Sequence, residues 1–198
     1  LVCTSLLDAV RGEDHAGGML ERCVADGLFL TREATSGTDQ WYRWHSLFAA
    51  QMRDRRWAGD VAAARSGELR AAQWWRSIDG PTAFSHALHS GDTGLAGDIA
   101  ASSWLSLVLT GRAETAVSLI DSLAAEVPLS AEHHLAIAFV AAQSGRMDAA
   151  GVELAAARRV AHLLDAPAAV GFEIRATVID LFLVNDRTAL VDVVSSAS

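Results

Sequence analysis

Apolar positions follow two rhythms along this chain. In the first third they come in short, mixed runs, and from Gly59 onward they recur every three to four residues, the helical spacing. The opening stretch LVCTSLLDAV reads as a helix. HAGGMLERCVADG reads as a second, with Met19, Leu20, Cys23 and Val24 on one face and Gly27 placed to end it in a left-handed turn. LFLTRE predicts a short strand, ATSGTDQ carries turn chemistry around Ser-Gly, and WYRWH predicts the returning strand. Alternation puts Tyr42 and Trp44 on one face of that strand and Trp41 and Arg43 on the other. The segment then turns at His45 into a helix. Helix, helix, strand, turn, strand, helix is the order of a winged-helix-like unit with a two-stranded hairpin, closing near residue 57.

In the second rhythm, helix stops recur as SGD at Ser90–Asp92, TGR at Thr110–Arg112 and SGR at Ser144–Arg146. Each glycine is followed five residues later by an alanine: Ala96, Ala116 and Ala150. Glycine ends one helix in a left-handed conformation, and the small residue lets the next helix cross close beneath it. The glycines lie 20 and then 34 residues apart, and the second spacing is the length of a tetratricopeptide unit. VND at Val184–Asp186 reads as a degenerate further copy. Ala113, Ala116, Ile120, Leu123 and Val127 form one amphipathic series. Met147, Ala150, Leu154, Ala157, Ala161 and Leu164 form another. The expected fold is mainly α. Residues 1–57 form the winged-helix-like domain, and residues 58–198 form an α-α superhelix of TPR-like hairpins, an architecture that binds along its concave face.

Composition narrows the chemistry. All 16 basic residues are arginine and none is lysine, which excludes a lysine-dependent phosphate loop, a Schiff-base lysine and a lysine general base. Cys3 and Cys23 match no zinc spacing and read as reduced thiols. No apolar run approaches membrane-spanning length, the longest being Leu135 to Ala142. The chain starts at Leu1 in mid-pattern, as the middle of something longer does. Its net charge is −8. Residues 1–58 hold seven arginines against eight acids, and the rest holds nine against sixteen. The candidate recognition helix, His15 to Asp26, has one arginine against two acids. A phosphate-binding surface needs clustered positive charge, and Arg53, Arg55 and Arg56 are the only such cluster. Direct nucleic-acid binding is therefore not expected.

The histidines do not read as ligands or bases. His86 and His89 stand one helical turn apart with only Asp92 nearby, so His86 reads as a structural group facing the next helix. His133 and His134 are neighbours about 100° apart on a helix and cannot share an ion. Of Trp74 and Trp75, one is expected in the core and the other partly exposed. No glycine-flanked serine supports a hydrolase triad. No metal site and no catalytic residue is expected, and the chain does not read as an enzyme.

Two stretches carry a family likeness. ERCVADGLFLTRE…WYRWHSLFAAQMRDR resembles the L-x-x-L-x-x-x-x-L-F-L … W-Y-R-Y-H-x-L-F-x-x-x-L-R signature of MalT-like, LuxR-type ATP-dependent transcription activators. RAAQWWRSIDGPTAFSHALHSGDTGLAGDIA resembles the segment that follows it, through Ala83, His86, Ala87, Leu88, Gly91 and Asp92. The resemblance covers about Met19 to Ala100. It implies the architecture of the STAND class: a P-loop ATPase, a winged helix, a helical-repeat sensor and a LuxR-type helix-turn-helix, of which this chain holds the middle. It also implies a role for His45. In related proteins a histidine at this strand-to-helix corner, within a Met-His-Asp motif, contacts the β-phosphate of ADP and holds the resting state. Here Ser46 follows the histidine, so the role of the aspartate is not carried over.

The expected function is that of a non-catalytic regulatory and sensor module of a LuxR/MalT-type regulator in the cytoplasm. It couples an effector, small molecule or protein, to an ATPase and a DNA-binding domain outside the chain. The chain itself holds no cofactor, and ATP or ADP is implied for the longer protein. Apolar hairpins exposed at the array end would favour self-association. The alternative is a free-standing TPR-like interaction scaffold. Tyr42 and Trp44 are expected to pack on the helix Met19–Val24, with Phe48 and Met52 closing the same core and the ring of His45 left at its edge.

Overall fold

The computed structural model describes residues 1–12, 16–36, 39–124 and 126–184. The elements are β1 (Val2–Cys3), α1 (Thr4–Arg11), α2 (Ala16–Ala25), β2 (Leu30–Ser36), β3 (Asp39–Trp44), α3 (Ser46–Gly59), α4 (Val61–Trp75), α5 (Gly80–Ser90), α6 (Thr93–Leu109), α7 (Ala113–Ala124), α8 (Ala131–Gln143), α9 (Met147–Val160) and α10 (Ala166–Leu183). A 3-10 turn at Ala161–Leu163 separates α9 from α10. The fold is mainly α with a small antiparallel sheet, as the sequence pattern predicts. The chain divides into two compact units, Leu1–Asp92 and Thr93–Ser198.

The first unit departs from expectation at its start. Val2 and Cys3 pair with Tyr42 and Trp41, so the predicted first helix begins at Thr4 and the hairpin gains a third strand. The order is β1-β3-β2, with β3 central. Leu30 pairs with Trp44 and Arg32 with Tyr42, and a bulge between Arg32 and Thr35 adjusts the register. Strand β3 feeds two half-cores. On one face Tyr42 packs with Leu20 and Leu30, lined by Cys23, Val24 and Trp44. On the other face Trp41 joins Cys3, Leu6 and Ala71. Trp74 and Trp75 close this second half-core, their rings 6.1 and 5.6 Å from that of Trp41. Both are half-buried, against the expected division into one core and one exposed ring. Trp41 packs against both and neither is enclosed.

Polar bonds tie these layers together. Tyr42 Oη donates to Glu21 Oε1, and Arg32 pairs with the same carboxylate. The hydrogen bonds from Arg32 and Tyr42 hold the Glu21 carboxyl below its usual range, while burial raises the Tyr42 phenol. Asp8 Oδ1 accepts the Ala16 N–H at the start of α2, and Arg70 Nε donates to the Val10 carbonyl. Helices α4 and α5 form a hairpin, each begun by an aspartate cap: Asp60 accepts from the Ala63 N–H and Asp79 from the Thr82 N–H. His86 faces back to α4 rather than forward to the next helix, because its Nδ1–H donates to Glu68 Oε2 at 2.6 Å.

The helix stops are as the glycines predict. Gly27, Gly91, Gly111 and Gly145 have φ of 67°, 84°, 76° and 73°. At each, the next residue's N–H reaches five residues back, as in Arg112 to Leu107 and Arg146 to Ala141. This is the Schellman closure of a helix end. The three alanines placed five residues after Gly91, Gly111 and Gly145 are all buried: Ala96, Ala116 and Ala150. In the second unit, Ile99, Trp104, Ile120, Leu123, Leu135, Leu154, Phe172, Ala176 and Ile179 fill the interior. Glu132 of α8 joins three helices, accepting from Trp104 Nε1 of α6 at 3.1 Å and pairing with Arg175 of α10. Beyond Val184 the VND copy lies outside the described residues.

His133 is the buried polar residue of this unit, 3% exposed. Its Nδ1 accepts the Ser130 N–H at 3.0 Å, and its Nε2–H donates to the Gly97 carbonyl at 3.0 Å. It occupies the capping-box position where glutamate or glutamine is usual. The bond from Ser130 requires an unprotonated Nδ1, so the ring is neutral, and burial holds its pKa below the ordinary 6.5 despite the pull of the Gly97 carbonyl. His134 turns away to Glu153 of α9 at 2.7 Å.

Two predictions follow from this packing. Replacing Gly111 or Gly145 with valine forces a β-branched residue into the left-handed region, and should lower unfolding free energy by about 1 kcal/mol or more in urea titration. The histidine gives a pH signature. A depressed native pKa means that the unfolded chain binds the proton more readily, so the stability His133 confers is complete above pH 6.5 and drains as pH falls below it. At pH 8 His133→Gln can still cap Ser130 but gives up the bond to the Gly97 carbonyl, and should be less stable by about 1 kcal/mol. It should also show a shallower loss of stability than wild type as pH falls below 6.5; equal slopes would contradict the assignment.

Candidate functional site

The corner between β3 and α3 is assembled from three short pieces. The Schellman turn at Gly27 releases Leu28 and Phe29, and Phe29 enters β2 with φ of 56°, the one non-glycine residue with positive φ among those described. An aromatic residue there costs roughly 1–2 kcal/mol, held by the surrounding structure. The Phe29 carbonyl accepts the His45 N–H at 2.8 Å, which pins the point where β3 stops. His45 then begins α3, with φ −56° and ψ 133° and its carbonyl receiving the Ala49 N–H.

His45 is exposed, and its ring lies 6.4 Å from that of Phe29. No side chain caps α3, and its first turn holds no acidic residue. The N–H groups of Ser46, Leu47 and Phe48 therefore point outward beside the imidazole, with the positive end of the helix dipole behind them. Phe48 stacks between Phe29 at 5.5 Å and Trp44 at 5.1 Å, and this aromatic column is what attaches the start of α3 to the sheet. Met52 does not join it: expected in the core, it is 46% exposed, and α3 contains no buried residue. Leu28, Phe29 and Leu47 are exposed as well, so the histidine stands in an apolar surround. The placement of Leu28 and Phe29 was not read from the sequence. The signal was present in LFL, where consecutive apolar residues break the alternation that a half-buried strand requires.

This geometry can receive an anion: open backbone donors, an imidazole and no competing carboxylate at the helix start. It has no nucleophile and base held together. Among the described residues no three histidine, cysteine, aspartate or glutamate side chains converge as a metal site. No helix among them is long and apolar enough to cross a membrane. In α2, the candidate recognition helix, Glu21 is committed to Arg32 and Tyr42.

The described residues thus form a three-stranded winged helix followed by helical hairpins. Residues 1–64 match the family model of the MalT winged helix domain. The HTH-type transcriptional regulator MalT of Yersinia enterocolitica is 36% identical over 99 residues, covering 48% of this chain and 10% of that protein. MalT of Klebsiella pneumoniae is 33% identical over 96 residues, with the same shares. The match thus spans about a tenth of the length of these curated relatives. No solved structure matches the chain. The chain is MalT-like, and the free-standing scaffold is not favoured by these relatives.

The charge distribution gives a direct test. In low-salt anisotropy titrations with mixed-sequence duplex, the 198-residue chain should show only weak, non-saturating binding. Saturable binding to a defined site would contradict this.

Proposed function

We propose that the chain is the coupling segment of a MalT-like, LuxR-type transcription regulator, without catalytic activity of its own, working in the cytoplasm. In this reading the helical hairpins take up an effector, small molecule or protein. The winged helix relays that event to an ATPase domain and a LuxR-type DNA-binding domain elsewhere in the longer protein. His45 is the nucleotide-sensing residue. The observation that carries the reading is the exposed imidazole at the uncapped start of α3, within the domain that matches the MalT winged helix.

The residues present suit a diphosphate. His45 and the N–H groups of Ser46, Leu47 and Phe48 would hold it, and the nucleotide supplies a charge that one functional state has and the other lacks. Serine in place of the aspartate of the Met-His-Asp motif leaves the helix start free of a negative group. The histidine then acts by contact with the ligand rather than by supporting the fold. That separates its two effects. In the 198-residue chain His45→Ala should change stability by less than about 0.5 kcal/mol, since its ring has no hydrogen-bond partner among the described residues. In the longer protein the same substitution should weaken ADP retention and raise basal transcription. Unchanged ADP affinity together with unchanged basal transcription would refute the sensing role.

A further inference from the structure

Two features of the sequence play no part in that reading: the arginine cluster near the end of α3 and the histidine pair on α5. The fold brings them to one cavity. It lies within the unit Leu1–Asp92, among α1, α3, α4 and α5, and has a volume of about 600 Å³, well inside the range of about 300–1,000 Å³ that small-molecule sites occupy. Part of its wall is apolar, made by Leu6, Val10 and Trp75. Another part carries Arg53 and Arg56 from α3 and His86 and His89 from α5.

The basic wall is anomalous in a chain of net charge −8. Glu68 of α4 is the carboxylate lining the cavity, and it is already engaged by the Nδ1–H of His86 at 2.6 Å. That hydrogen bond, with lesser help from the charges of His89 and Arg56, holds the Glu68 carboxyl below its usual range. Among the described residues neither Arg53 nor Arg56 forms an ion pair with a carboxylate. The Arg56 guanidinium lies directly on the backbone of α4 at Gly67, where an added Cβ would fall 1.7 Å from Nη2. Its hydrogen bond there is a long one of 3.3 Å to the Ala63 carbonyl. A guanidinium has five N–H donors, so most of those on Arg56 remain available at the cavity. Inorganic anion alone would leave the apolar wall wet, and a purely apolar ligand would make no use of the guanidinium donors.

We propose that this cavity binds a small amphipathic anion, with its carboxylate or phosphate head held by Arg53 and Arg56 and its apolar body laid against Leu6, Val10 and Trp75. The site is separate from His45, at the opposite end of α3. Octanoate, octyl phosphate and neutral 1-octanol distinguish the contributions, read by quenching of the tryptophans, of which Trp57 and Trp75 line the cavity. The octyl anions should bind saturably at one site and raise the melting temperature, with 1-octanol weaker by about tenfold or more. If only one anion saturates, the head group is thereby identified as carboxylate or phosphate. Arg53 and Arg56 are exposed, so the double variant Arg53→Ala/Arg56→Ala should keep its circular dichroism spectrum. It should lose about tenfold in anion affinity while 1-octanol binding is unchanged. Gly67→Ala, which displaces the guanidinium from α4 without removing it, should weaken the same anions. The proposal is overturned if neither anion saturates, if 1-octanol binds as tightly as the anions, or if the double variant binds them as wild type does.

Discussion

Strand β3 is the constraint on which the first unit rests. It is six residues long and central in its sheet, and it must serve two apolar faces at once. Tyr42 and Trp44 face α2, while Trp41 faces α1 and α4. A winged helix with one buried sheet face would end where its last helix ends. Here the second face needs a cover, and Ala71, Trp74 and Trp75 of α4 provide it. The first helical hairpin is thus part of the same compact unit as the wing, and the MalT winged helix match correspondingly runs a few residues into α4. Removing the ring at residue 41 would uncouple two elements that the sequence pattern alone treats as separate.

From Gly91 onward the chain follows a different rule, the pairing of a left-handed glycine with an alanine five residues later. The glycine ends the helix without a Cβ penalty, and the Schellman bonds satisfy carbonyls that would otherwise be orphaned. The alanine, buried in each of the three copies, allows close helix packing at small side-chain volume. Apolar packing in such an interior is non-directional, so the polar contacts beside it add specificity. Glu132 bridges Trp104 and Arg175, and His133 bonds to both Ser130 and Gly97. These groups fix which helices meet, because a mispaired arrangement would leave them buried and unsatisfied.

Much of this was legible in the sequence because it depends on short-range rules. Turn residues, alternation at Tyr42 and Trp44, and the glycine stops each express a local conformational preference. What was not legible depends on partners distant in the chain. Val2–Cys3 is too short to have a period and becomes a strand only through β3. Met52 was assigned to the core from its spacing with Phe48, but nothing in this unit covers that face of α3. Trp74 and Trp75 share the burial that one was expected to take, because Trp41 packs against both. His86 was identified as structural but oriented to the wrong helix, since its partner Glu68 is 18 positions away. For the candidate site, the position of His45 followed from the strand-to-helix pattern. The open helix start and the strained Phe29 beside it did not, because both are properties of backbone geometry.

The arginines show why α3 is the element on which ligands can act. Five arginines brace the fold internally: Arg32 to Glu21, Arg43 to Glu33, Arg70 to the Val10 carbonyl, Arg158 to Asp180 and Arg175 to Glu132. Planar guanidiniums suit this bracing role. Helix α3 is the exception. It buries no residue, it is attached at its start by the stack of Phe48 on Phe29 and Trp44, and it touches α4 through Arg56 over Gly67. An element with so little buried surface lies at the low-stability end of its unit. Its position can therefore be shifted by ligands whose differential affinity is modest, because few native contacts oppose the change. The exposed imidazole stands at one end of this helix and the guanidiniums of Arg53 and Arg56 near the other, so the groups best suited to meet an anion sit on the element that the fewest native contacts hold in place.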